Sequence, residues 1–127
     1  MVVRKIACAA LLAFVVPAFA DDAPTPLPQK MEGKWGGDGS KKVEVELVKM
    51  ESPTSAKLDV VFWDGCTRKG ETNAEFKDGA WTFVAPGGRC EPIKAVITQV
   101  PGKNRFEGTY ETAWRGSVVK NNMYLEW

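Results

Sequence analysis

Thr72-Asn73-Ala74-Glu75-Phe76-Lys77-Asp78-Gly79-Ala80-Trp81-Thr82-Phe83-Val84-Ala85 is the stretch whose reading decides the fold. Asp78-Gly79 is a dipeptide that tolerates positive φ, and the residues flanking it alternate between apolar and polar, so the segment reads as a β-hairpin with a two-residue turn. The turn sets the pairing. Phe76 lies opposite Trp81 and Ala74 opposite Phe83 on one face, with Glu75 opposite Thr82 on the other. The large aromatics share the face to be buried.

The same period of two continues in both directions. Val43, Val45 and Leu47 alternate with Glu44 and Glu46, and Leu58, Val60 and Phe62 alternate with Lys57, Asp59 and Val61. Ser52-Pro53-Thr54-Ser55 is the turn between them; with Met50 facing Lys57, Leu47 meets Val60 and Val45 meets Phe62. Downstream, residues 93–100 and 105–112 flank the turn Pro101-Gly102-Lys103-Asn104 and place Ala95, Ile97, Phe106 and Tyr110 on one side. Asn121-Asn122 is read as the divider between residues 114–120 and 123–127. Apolar residues nowhere recur at three-and-four spacing over a dozen positions, so helix is minor. The expectation is an all-β antiparallel meander of about seven to nine short strands, whose up-and-down connectivity favours a closed barrel over a sandwich.

The N-terminus carries an export pattern. Arg4 and Lys5 precede an unbroken apolar run over residues 6–16, and Ala18-Phe19-Ala20 places small residues at a peptidase site, predicting a signal peptide over 1–20 cleaved after Ala20. The run is shorter than the roughly 20 residues a membrane span needs, and no second run follows, so no span is expected. Residues 21–30, with prolines at 24, 26 and 28, read as a flexible leader, and 31–127 as a single β domain. The expected location is the periplasm or the exterior. Of 17 basic and 16 acidic residues, cleavage removes Arg4 and Lys5, leaving 15 against 16 and a net charge of −1. That balance, without a run of Lys and Arg, argues against nucleic acid as a partner. Cleavage also removes Cys8. The remaining pair, Cys66 and Cys90, is expected as a disulfide, since an exported chain oxidises an even number of cysteines and neither a close redox pair nor a metal-ligand spacing is present.

Gly33-Lys34-Trp35, just ahead of the first regular strand, resembles the Gly-x-Trp that opens lipocalin-type (calycin) barrels, a superfamily that includes avidins and bacterial metalloprotease inhibitors. The resemblance implies that Trp35 plugs one barrel end against a basic residue from a late strand, for which Arg115 is the nearest candidate. In the inhibitors of that superfamily a mobile N-terminal segment enters the enzyme's cleft, a part that residues 21–30 would play here. The chain is shorter than lipocalins proper and has no room for their terminal helix, so a barrel filled by its own side chains is expected in place of a deep ligand cavity.

The chemistry is narrowed by elimination. There is no histidine, which excludes Ser-His and Cys-His nucleophile pairs and imidazole metal sites. No phosphate loop, calcium loop or dinucleotide fingerprint appears; Gly36-Gly37-Asp38-Gly39 and Pro86-Gly87-Gly88 read as turns. No catalytic residue, metal or cofactor is therefore expected. Trp63 and Val61 fall on the polar side of their strand, facing Glu44 and Glu46. They are read either as an outer contact platform for a sugar, a peptide or a protein, or as residues that a bulge or the leader covers. The bridge brings residues 64–71 and 86–92 together, so Arg68, Lys69 and Arg89 share a rim, with Asp64, Glu71 and Glu91 placed to neutralise it. Trp81, Trp114 and Trp127 read as core or end-plug residues.

Three functions survive. The leading one is an exported, non-enzymatic binding module for a protein, peptide or carbohydrate partner. The alternative is an inhibitor of a periplasmic or secreted hydrolase, of protease or lysozyme type, acting through the leader or the loop rim. The third is a hydrolase using carboxylates alone.

Overall fold

The computed structural model describes residues 26–127. The predicted signal peptide and residues 21–25 of the predicted leader lie outside them. Eight strands follow one another: β1 (Lys30–Trp35), β2 (Lys41–Ser52), β3 (Ser55–Phe62), β4 (Arg68–Lys77), β5 (Ala80–Ala85), β6 (Ile93–Gln99), β7 (Arg105–Trp114) and β8 (Ser117–Glu126). Each pairs antiparallel with the next, and β1 pairs with β8, so the sheet is a closed up-and-down barrel with no helix among the described residues. Cys66 and Cys90 form the single disulfide, with Cα atoms 6.4 Å apart. No described helix is long and apolar enough to cross a membrane.

The alternation that predicts the strands also fills the interior. Phe62, Trp81, Phe83, Phe106 and Tyr110 are almost wholly buried, and Ala56, Ala74, Ala85 and Ala95 make room for them. Ala95 lies between Phe83 on one neighbouring strand and Tyr110 on the other, so large and small residues complement one another between strands. An eight-stranded barrel is just wide enough for side chains to occupy its centre. The hairpin at Asp78-Gly79 has the expected form: Phe76 pairs with Trp81 and Glu75 with Thr82, and the two turn residues have φ of 55° and 81°.

Three expectations are corrected. Between β2 and β3, Val43 faces Phe62, Val45 faces Val60 and Leu47 faces Leu58, two residues away from the expected register. Lys49, and not Met50, faces Lys57. Irregularities between Leu47 and Lys49 and between Met50 and Ser52 each absorb one extra residue of the longer strand, and a shift of two keeps every side chain on its predicted face. The second correction is the last turn, which is Arg115-Gly116. Asn121 and Asn122 lie within β8, paired with Tyr110 and Thr109. Arg115 and Gly116 have φ of 51° and 81°, both in the left-handed region that a two-residue hairpin demands. Arginine rarely adopts it.

The third correction concerns the leader, whose last residues are docked. Leu27 joins the core, Gln29 exchanges backbone and side-chain hydrogen bonds with Leu47, and Lys30 already belongs to β1. The fold therefore begins before Met31. The buried area gained by Leu27 is what ties the chain there.

Candidate functional site

Strand direction alternates, so the segments 36–40, 63–67, 86–92 and 115–116 all gather at one end of the barrel, away from the end that Leu27 enters. At this mouth lies a cavity of about 430 Å³. Trp35 and Tyr110 contribute to its lining, their rings 5.2 Å apart and edge-to-face, with Phe62 5.3 Å from Trp35 beneath them. The indole of Trp35 donates to the Lys42 carbonyl at 3.1 Å, and the Lys41 ammonium stands 5.3 Å from its ring centre. Burial pushes the Tyr110 phenol above its ordinary value despite a hydrogen bond with the Gly36 backbone.

Arg68 is the one charged side chain buried among the described residues, at 4% exposure. It opens β4. Its Nε donates to the Glu91 carbonyl at 3.0 Å, and its Nη1 to the Asp64 carboxylate and the Cys66 carbonyl, each at 2.9 Å. The guanidinium thus joins the same two loops that the disulfide staples. Thr112 adds a further tie, donating to the Pro92 carbonyl at 2.9 Å. Lys41 lies 3.5 Å from the other oxygen of Asp64. Burial alone raises the Asp64 carboxyl, but the Gly65 amide, Lys41 and Arg68 outweigh it and hold the carboxyl below its usual value.

That depression makes Asp64 a source of pH-dependent stability. With the folded value below the unfolded one, the contribution is complete above about pH 3.9 and fades as pH falls through the folded value. Asp64→Asn is expected to cost about 2 kcal/mol near neutrality, because the buried Arg68 loses a charge-assisted bond. Urea denaturation checks it: the gap between variant and wild type is to narrow toward about pH 3.

The rim on the other side is apolar. Trp114 is 62% and Val118 70% exposed, on the β7–β8 hairpin, and the Arg115 guanidinium rests 5.3 Å from the Trp114 ring centre. Val84, Pro92, Ala113 and Val118 continue this surface into an adjoining depression of about 360 Å³, which shares Thr112 and Ala113 with the mouth.

The residues singled out from the sequence are dispersed. Trp63 is 39% exposed beside Lys42, to whose carbonyl its amide donates and whose ammonium lies 5.4 Å from its ring; the two-residue register shift moves it away from Glu44. Val61 is half-buried between Glu44 and Lys69 on the outer wall. Lys69 and Arg89 line a depression of about 400 Å³ around Cys66, and neither forms an ion pair among the described residues. Arg68, expected beside them on the rim, turns inward, and Glu91 serves it through a backbone carbonyl. Arg115 is exposed at the hairpin tip and is not the cation over Trp35; Lys41 holds that place. Trp81 is core, whereas Trp114 is exposed and Trp127, 38% exposed, leans on Phe106 at the opposite end. Tyr110, Lys41 and Trp114 were missed as a site. Lys41 and Trp114 stand at strand ends next to turns, a signal that for Trp114 depends on reading Arg115-Gly116 as the turn, whereas Tyr110 lies within β7 and only the barrel brings it to the mouth.

Fold and site together define a small, disulfide-stapled, up-and-down antiparallel barrel with a filled interior and a cavity at one mouth. No protein-family model matches the chain, and comparison with curated proteins and with solved structures finds no match.

Proposed function

We propose that this protein is an exported, non-enzymatic binding module that engages a macromolecular partner through the rim of its barrel mouth. The observation carrying this reading is the exposure of Trp114 and Val118 on a tight hairpin. Large apolar side chains held in water on a rigid scaffold are costly unless a partner covers them, and tryptophan anchors interfaces with little entropy to lose. The disulfide fits an oxidising compartment, in keeping with export after Ala20. Asp64, the one acidic residue lining the mouth, is engaged by Arg68 and Lys41, which supports binding over carboxylate catalysis. The closed barrel and the buried Trp35 agree with kinship to lipocalin-type barrels.

Inhibition of a secreted or periplasmic hydrolase is the second reading, favoured by the exposure of Trp114 and Val118 beside the tip of the β7–β8 hairpin, where both are open to an enzyme's cleft.

The wild type and a Trp114→Ser/Val118→Ser double variant, used as baits in extracts of the source compartment, test the proposal. The variant is expected to melt within about 2 °C of wild type, as exposed sites allow, and to lose the partner that wild type retains. Equal retention by both overturns the assignment of the rim.

A further inference from the structure

We infer that the mouth cavity receives a carboxylate joined to an apolar group, with Arg68 and Lys41 holding the carboxylate. The inference deepens the proposed binding at this mouth and rests on that reading. Its starting point is an incomplete hydrogen-bond set. Nε and Nη1 of Arg68 are occupied by Glu91, Asp64 and Cys66, but Nη2, with two N–H groups, has no partner among the described residues. Buried donors are satisfied almost without exception, so a donor left open on a side chain that is 4% exposed and lines a cavity calls for an acceptor from outside the chain.

The surroundings select the acceptor. Lys41, next to Arg68 in the lining, spends one contact on Asp64 and keeps a side chain that is 42% exposed, leaving donors for a second anion. Both Asp64 oxygens are already engaged, one by Arg68 and the other by Gly65 and Lys41. Among the lining residues two cations face one carboxylate, an excess of one positive charge that a single carboxylate neutralises; Asp38, which also acts on Lys41, is fully exposed and screened by solvent. A guanidinium edge with two hydrogens suits a carboxylate oxygen. The rest of the lining is Gly37, the hydroxyl-bearing Tyr110 and Thr112, which already bond the Gly36 and Pro92 backbones, and the apolar Trp35, Ala113, Trp114 and Val119, so the group carrying the carboxylate is predominantly apolar. A polypeptide ending in an apolar residue and a free aliphatic acid both have this chemistry.

Calorimetric titration of the oxidised full chain with defined probes separates these sources. Acetyl-Gly-Gly-Leu with a free C-terminus represents the first and hexanoate the second, with the C-terminally amidated peptide and hexanol as uncharged counterparts. At least one acid is expected to bind roughly ten-fold more tightly than its counterpart, the effect of one charge-assisted contact, and to lose a similar factor in Lys41→Met. A preference for the peptide assigns the source to a partner's C-terminus, and a preference for hexanoate to a free acid. Arg68→Lys, which keeps the charge but removes Nη2, is expected to weaken the acid without changing its counterpart; its melting curve reports whether the loops stay in place. Equal affinity for acids and counterparts, or no heat from either acid at millimolar concentration, overturns the inference. The bait experiment is read at Trp114 and Val118, so rim binding stands or falls separately.

Discussion

Replacing Gly33 with alanine is expected to open the barrel at the seam between β1 and β8. That seam is short: Glu32, Gly33 and Lys34 face Glu126, Leu125 and Tyr124. Gly33 occupies an inward position between the buried Met31 and Trp35, and a methyl group there would overlap the Tyr124 carbonyl oxygen, with the Tyr124 carbonyl carbon at 2.6 Å and the Leu125 Cα at 2.9 Å. These are backbone atoms of the paired strand, so no side-chain rotation relieves the clash, and either the ladder or the strand must give way. A loss of about 3 kcal/mol or more is expected, in the upper range for single substitutions. Thermal unfolding checks it against Gly37→Ala, whose added methyl meets nothing nearer than 3.8 Å. Similar melting temperatures for both variants would show that the seam tolerates the methyl.

Removing the disulfide is expected to have an effect of the same order by a different route. Cys66 and Cys90 are 24 residues apart, and opening a loop of that size returns about 3 to 4 kcal/mol of chain entropy to the unfolded state. For a domain of about 100 residues this lowers the melting temperature by about 15 to 25 °C. The folded mouth should change little, because Arg68 still bonds the Cys66 and Glu91 carbonyls. The check is a melt of the wild type with and without reductant beside a Cys66→Ala/Cys90→Ala double variant. Coincident melts, or a variant that loses its mouth geometry while remaining folded, would contradict this account.

Faces were legible in the sequence wherever alternation was regular. The inward set of Val43, Val45, Leu58, Val60, Phe62, Trp81, Phe83, Ala95, Ile97, Phe106 and Tyr110 is buried as the period of two predicts. Register was legible only where a turn specified it, at Asp78-Gly79. Between β2 and β3 it was not, because a bulge changes the pairing without disturbing the composition on either side. The last turn was misread for a related reason. Arg115-Gly116 opens with an arginine, which rarely reaches positive φ, so Gly116 was its one turn signal, while Asn121-Asn122 looked like a turn and is held extended by pairing with β7.

The candidate site was the least legible part. Trp114 reads as a core or end-plug residue because it is in phase with the inward Phe106 and Tyr110, but it closes β7 at the mouth, beyond the packed interior, and Arg68 reads as a rim residue because a lone arginine next to a lysine usually lies in water. Leu27 was set aside within a proline-rich stretch, although one apolar residue with an adjacent Gln29 suffices to dock it.

By itself the amino-acid sequence determined the period of the backbone, the antiparallel class, the one possible cysteine pairing and the side on which most residues lie, all properties set by neighbours a few positions apart. Tertiary structure alone decided that β1 closes on β8, that Arg68 is drawn under two loops, and that Trp35, Tyr110, Lys41 and Trp114 share one mouth. Those residues come from strands up to about eighty positions apart, and the distances between them depend on how many strands complete the circle, a quantity no local pattern encodes.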